Sequence, residues 1–118
     1  MPDIEQHFEK ATSAVRSAYD AILTAARKLG PVEEDPKKTS IHLTNGTAFA
    51  GVATRKEYLI LTLKSAEKIK SPRVHKSEKV SANRWHVEIR VQAPGDVDRE
   101  LRDWLEAAYR LSQKKERK

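Results

Sequence analysis

Residues 40–64 read SIHLTNGTAFAGVATRKEYLILTLK, the segment with the strongest strand-forming character in the chain. Asn45-Gly46 divides two strand-like runs, Ser40–Thr44 and Thr47–Ala53, and Asn-Gly supplies the two positive-φ residues of a type I′ hairpin turn. A two-residue loop sets Leu43 opposite Ala48 and Ile41 opposite Ala50, with His42 and Phe49 together on the other face. The next break is Thr54-Arg55-Lys56-Glu57, followed by the strand Tyr58–Leu63. A four-residue loop there places Val52 opposite Leu59, Ala50 opposite Leu61 and Ala48 opposite Leu63. A five-residue loop turns Tyr58 and Ile60 to that side instead, because a one-residue slip exchanges the faces of a strand. The four-residue reading is preferred: it gathers Ile41, Leu43, Val52, Leu59, Leu61 and Leu63 on one face, where Ala48 and Ala50 leave room for a helix.

Outward from this segment, both flanks read as helices. Asp3 and Gln6 form a capping box, and apolar residues then follow at Ile4, Phe8, Ala11, Val15, Ala18, Ile22, Ala25 and Leu29 in alternating steps of four and three. Gly30-Pro31 ends this stripe, so the pattern predicts one N-terminal helix of about 26 residues, or ~39 Å. Such length would let its seam also meet a second copy of the chain. Val32–Thr39 reads as a polar connector, with Pro36 and Lys37-Lys38 keeping it off any sheet interior. Ser65–Ser71 is compatible with a helical turn ahead of Pro72, and Val74–Val80 with a lysine-protected edge strand. Trp85–Val91 alternates cleanly, with Trp85, Val87, Ile89 and Val91 inward and His86, Glu88 and Arg90 outward. After Ala93-Pro94-Gly95, Asp96 caps a second helix whose apolar face is Val97, Leu101, Trp104, Leu105, Ala108 and Leu111. The fold class that follows is two-layer α+β: a long N-terminal helix, a four- or five-stranded antiparallel sheet and a C-terminal helix, both helices on one sheet face. Residues 1–113 form the single α+β domain, and 114–118 a frayed basic tail.

The 118 residues suffice for one hydrophobic core. There is no cysteine, which excludes a disulfide framework and thiolate chemistry and suits a reducing cytoplasm. No apolar run approaches the ~18 residues of a membrane span, and Met-Pro-Asp does not open a signal peptide. The net charge of +6 is unevenly spread. Residues 1–54 hold 6 Lys/Arg against 7 Asp/Glu, residues 55–90 hold 10 against 4, and residues 91–118 hold 7 against 6. The excess therefore sits on the sheet half, where a basic field attracts polyanions; a solvated basic surface that keeps the protein soluble accounts for it equally well.

The positions Ile41-His42-Leu43, Phe49-Ala50, Arg55-Lys56, Leu59–Leu63, Pro72-Arg73, Trp85-His86-Val87 and Asp96-Val97-Asp98 carry a resemblance, together with Leu101, Trp104-Leu105 and Ala108-Tyr109. Over roughly Phe8 to Leu111 the chain resembles an uncharacterised bacterial family catalogued as a domain of unknown function. Its members are sometimes labelled "predicted transport protein", and some sit C-terminal to other modules. The resemblance implies a small intracellular bacterial domain. It brings no activity, substrate or catalytic residue, and nothing in this chain supports the transport label.

The outward sheet face is the surface of interest. By the register above it carries His42, Phe49, Tyr58, Ile60, Thr62, His86, Glu88 and Arg90. Arg55 and Lys56 stand at its rim, with Arg73 and Arg84 in nearby loops. Aromatic rings among cations stack bases or hold anions, and arginine forks read phosphate or carboxylate. The expected anion- or nucleic-acid-binding set is thus Arg55, Lys56, Tyr58, Arg73, Arg84, His86 and Arg90. The opposing expectation is that residues 65–84 or a partner subunit cover this face, since Phe49 and Ile60 would otherwise be exposed. His7, His42, His75 and His86 lack zinc-site spacing, so no metal and no cofactor is expected. Clustered carboxylates, a nucleophile elbow and a phosphate loop are all missing, and no catalytic residue is named. The leading expectation is a non-catalytic anion-binding module, most plausibly associated with nucleic acid. A protein-interaction or homodimerisation domain is the alternative. An enzyme acting on a small anion near Arg55, Arg73, Arg84 and His86 ranks last.

Overall fold

The computed structural model describes residues 3–116, with side chains described through residue 112, so the expected basic tail at 114–118 lies largely outside the described residues. In chain order the elements are α1 (Ser13–Arg27), β1 (Glu33–Pro36), β2 (Ile41–Asn45), β3 (Thr47–Thr54), β4 (Leu59–Ser65), β5 (Val74–Ser81), β6 (Arg84–Val91) and α2 (Arg99–Glu116). Short 3-10 turns at Glu5–Phe8 and Pro94–Asp96 precede α1 and α2. The strands form one antiparallel sheet in the order β1-β2-β3-β4-β6-β5. The expected two-layer α+β class holds, with six strands rather than four or five. The added strand is β1, inside the expected polar connector. It occupies an edge, where Pro36 needs no inward hydrogen-bond donor.

The inner sheet face is the aliphatic one. Ile41, Leu43, Val52, Leu59, Leu61, Leu63, Val87, Ile89 and Val91 are buried in one cluster with the apolar stripes of both helices. Each such side chain contributes roughly 1.5–3 kcal/mol on leaving water, enough to fix which face turns inward. The expected pairings are each displaced by two residues: Leu43 pairs with Ala50, Ile41 with Val52, Val52 with Leu61 and Ala50 with Leu63. A displacement of two restores the same faces, which is why the assignment of sides survives the wrong register. The β3–β4 loop has four residues, but they are Arg55–Tyr58, closed by the Arg55 amide donating to the Tyr58 carbonyl at 2.8 Å.

The β2–β3 hairpin departs from the type I′ expectation. Asn45 pairs with Thr47, leaving Gly46 (φ 83°) alone at the tip, and no described residue other than glycine has positive φ. The asparagine is recruited elsewhere: its Nδ2 donates to Tyr109 Oη at 2.9 Å. Leu43 pairs with Ala50 while Thr44 pairs with Ala48, so Phe49 is the extra residue of a bulge. The bulge turns Phe49 away from His42 and into the core, where its ring meets Tyr109 edge-on at 5.0 Å. The expectation that Phe49 shares the outer face with His42 is thereby corrected.

The N-terminal stripe is interrupted. The Asp3–Gln6 capping box forms, with bonds of 3.3 and 2.9 Å, but it opens only a single 3-10 turn. Thr12 then adopts an extended backbone, caps α1 through Oγ1, and donates its amide to the Lys56 carbonyl at 2.9 Å. The helix is therefore 15 residues long rather than about 26. The break folds Phe8 back onto Tyr19, with ring centroids 5.1 Å apart, so the early part of the stripe serves the same core. Tyr19 is itself fully buried and donates to Glu34 of β1 at 2.5 Å; burial, followed by this carboxylate, drives its phenol far above the ordinary tyrosine range. Asp98, rather than Asp96, caps α2 by accepting from the Leu101 amide at 3.1 Å, while Asp96 accepts from the Gln92 amide at 2.9 Å. Residues 66–73 contain no helical turn and carry the chain from β4 across to β5, past β6.

Candidate nucleic-acid interface

The outer sheet face owes its shape to β3. Its outward residues past the bulge are Gly51 and Ala53, and Ala48 precedes it, so this strand presents almost no side-chain height. The result is a trough of about 300 Å3 floored by these residues and walled by Ser40 and His42 on one side and Thr62, Lys64 and His86 on the other. Gly51 sets the spacing of the wall: a Cβ there would lie 3.7 Å from His42 Cδ2, an ordinary contact. His42 on β2 and His86 on β6 are separated by two intervening strands, or about 14 Å at the usual interstrand spacing, so they face one another across the trough without meeting. Among the described residues no group of three or more His, Cys, Asp or Glu side chains is placed to hold a metal ion.

At one end of this face Arg90 lays its guanidinium over the Tyr58 ring, 4.5 Å from the centroid. The pair follows from register, since Ile60 opposes Arg90 and Tyr58 lies two residues before Ile60 on the same side. Ile60 is only partly buried, next to Ala53 and Arg90. Arg55 and Lys56 lie in the exposed loop just before Tyr58, turned toward the N-terminal segment. Residues 66–73 run on the helix side, where residues 64–70 border Trp104, Ala107 and Leu111. They do not lie over the outer face.

The remaining arginines are elsewhere. Arg84 sits in the β5–β6 hairpin, six residues from Arg90 along β6 or about 20 Å at strand rise, and donates to the neighbouring Asn83 carbonyl at 3.1 Å. Arg73 lies on the helix side. It donates to Asp98 at 2.8 Å, Glu100 at 3.2 Å and the Asp96 carbonyl at 2.7 Å, and it stacks 5.8 Å from the Trp104 ring. Arg73 therefore pins the crossover segment to the start of α2. The structure does not bring Arg55, Arg73, Arg84 and His86 together: Arg55 lines the hollow beside the N-terminal segment, His86 the trough, and Arg73 the helix side. Of the seven expected residues, the structure brings together Tyr58 and Arg90, with Arg55 and Lys56 in the adjoining loop and His86 along the trough. Sequence reasoning missed the trough floor, since glycine and alanine in a strand signal only close packing. It also took Trp85 as purely inward, whereas Lys68 and Lys79 each stand 6.0 Å from its ring at the sheet margin.

The Arg73 cluster has a pH signature. The Arg73 guanidinium, and after it the Leu101 amide, hold the Asp98 carboxyl below its ordinary value. A carboxylate whose folded value is depressed adds stability above its unfolded value of about 3.9 and loses it as pH falls through the folded value. Urea unfolding at pH 6 should therefore show Asp98→Asn to be less stable than the parent, with the gap narrowing as pH falls below about 4. A gap that is constant with pH would assign the loss to capping geometry alone.

Six antiparallel strands backed by two helices, with an outer face of mixed imidazole, cationic and small-residue character, define the class as α+β. Among the described residues no helix is long and apolar enough to cross a membrane. The chain matches the family described as "Domain of unknown function (DUF5655)" over residues 4–112, and it belongs to that family. No curated protein and no solved structure matches it.

Proposed function

We propose that the protein is a non-catalytic binding module whose outer sheet face engages an anionic partner, above all single-stranded nucleic acid, in the cytoplasm. The observation that carries this reading is the trough over Ala48, Gly51 and Ala53, walled by His42, Lys64 and His86 and ended by the Arg90–Tyr58 stack. A backbone of phosphates fits a small-residue groove with cations beside it, and a tyrosine held by an arginine offers a base a stacking surface. Glu88 lies in the same row as Thr62 and Lys76, which tempers the field and favours modest affinity.

The N-terminal stripe, the motive for the alternative of homodimerisation, packs within or against the protein's own core, which favours the outer sheet face as the binding surface. A fluorescein-labelled single-stranded oligonucleotide should bind at low salt and weaken by at least about tenfold between 20 and 200 mM salt. Gly51→Leu, which fills the trough without touching the core, should abolish binding while leaving the urea midpoint almost unchanged. Arg90→Ala should weaken binding several-fold. Absence of binding at low salt, or full binding by Gly51→Leu, would overturn the reading.

A further inference from the structure

A second concavity, of about 350 Å3, opens at the end of the molecule where three chain segments meet: residues 6–11, the β1–β2 connection at Lys38-Thr39, and the β3–β4 loop at 54–56. It shares no lining residue with the trough. Its walls are tied to one another by the chain itself. Thr12 N–H donates to the Lys56 carbonyl at 2.9 Å, His7 Nε2 donates to the Lys37 carbonyl at 2.8 Å, and Thr54 Oγ1 donates to the His7 carbonyl. Each of the three segments is thus bonded to at least one other, and the cavity exists before any ligand arrives.

Lys10, Lys38, Arg55 and Lys56 line this cavity, against the single acid Glu9. Among the described residues, none of these four cations joins an ion pair. Arg16, Arg27, Arg73 and Arg110 all do, with Glu5, Glu34, Asp98 and Glu106 among their partners. Arg55 donates only to the Thr54 carbonyl beside it, at 3.0 Å. Four like charges held around one hollow repel one another, and an anion that enters relieves that repulsion while meeting donors on three sides. We infer that this hollow is a binding site for a phosphate monoester group. The group is dianionic near neutral pH and compact enough for the space, with room left for part of the alcohol it esterifies. Thr39 is a further lining residue and brings a hydroxyl.

The phosphate could arrive on a small metabolite-sized ester or as the terminal phosphate of a nucleic-acid strand, and the same probes separate these sources. Amide NMR of the full chain titrated with inorganic phosphate, against sodium chloride at matched ionic strength, should give saturable shifts confined to residues 6–12, 37–40 and 54–57. Lys38→Ala/Arg55→Ala should weaken that binding at least tenfold, and Arg84→Ala, outside the cavity, should not. If the natural source is a strand end, a 5′- or 3′-phosphorylated oligonucleotide binds at least fivefold more tightly than its unphosphorylated twin. That preference disappears in the double variant, while the phosphate-induced shifts at residues 6–12, 37–40 and 54–57 survive Gly51→Leu, which separates this site from the trough. If the source is a small ester, inorganic phosphate and ribose 5-phosphate saturate the same shifts while the two oligonucleotides bind alike. Shifts that do not saturate, or that chloride reproduces, would overturn the assignment.

Discussion

Phe49→Ala should lower the free energy of unfolding by about 3–5 kcal/mol, the range found when a buried aromatic ring is removed from a packed core. The ring is fully buried and stands edge-on to Tyr109, so the substitution removes both its own contacts and one wall of the tyrosine's site. Ile60→Ala makes the comparison decisive. Ile60 lies on the outer face and is only partly buried, and its truncation should cost about 1 kcal/mol. Plain alternation from Leu43 and Ala50 would have placed both on the outer face and given them similar, small losses. Urea midpoints for both variants read the result directly. Equal losses, or a smaller loss at Phe49, would mean that the bulge between Ala48 and Ala50 does not persist in solution.

The second large effect is expected at Gly30. Its φ of 155° lies in the region that side-chain-bearing residues avoid, and a Cβ built there would penetrate the Tyr109 hydroxyl. That hydroxyl donates to the Pro31 carbonyl at 3.1 Å and accepts from Asn45 Nδ2 at 2.9 Å, so it cannot move aside without breaking both bonds. Backbone strain of roughly 1–2 kcal/mol and the disrupted hydrogen bonds together should make Gly30→Ala costly, about 2–4 kcal/mol. Two comparisons isolate the cause. Gly95→Ala has open space around the new methyl and an ordinary φ, and it should be close to neutral. Adding Tyr109→Phe to Gly30→Ala removes the clashing oxygen, so the double variant should be more stable than the sum of the two single losses implies. Strict additivity would place the whole effect in the backbone.

The division of the sheet into an aliphatic inner and a polar outer face was legible because it rests on period-two spacing, which tolerates errors of two residues in pairing. Leu59, Leu61 and Leu63 are inward in the expected and the observed registers alike. What the spacing could not reveal was long-range chemistry overriding local preference. Asn45 leaves its turn conformation because Tyr109, 64 residues away, takes its amide. Thr12 breaks a helical stripe because its amide answers the Lys56 carbonyl across the fold. The outer-face cations were half legible. Tyr58 and Arg90 are neighbours by register, whereas Arg73 was drawn to Asp98 and Glu100 on the far side by ion pairs that no spacing in residues 65–84 announces. The cavity at Lys10, Lys38, Arg55 and Lys56 joins three segments distant in sequence, and only two of its cations, Arg55 and Lys56, were marked beforehand.

The Tyr109 hydroxyl also bears on how the chain reaches this state during synthesis. Its partners at Pro31 and Asn45 are made long before it, and α2, the element that lies on β2, β3 and β4, emerges from the ribosome after all six strands. Until residue 112 is available, β2, β3 and β4 lack the helix that packs on them and α1 alone shares their core, so nascent chains stalled short of that point present a partly uncovered aliphatic sheet that chaperones would bind.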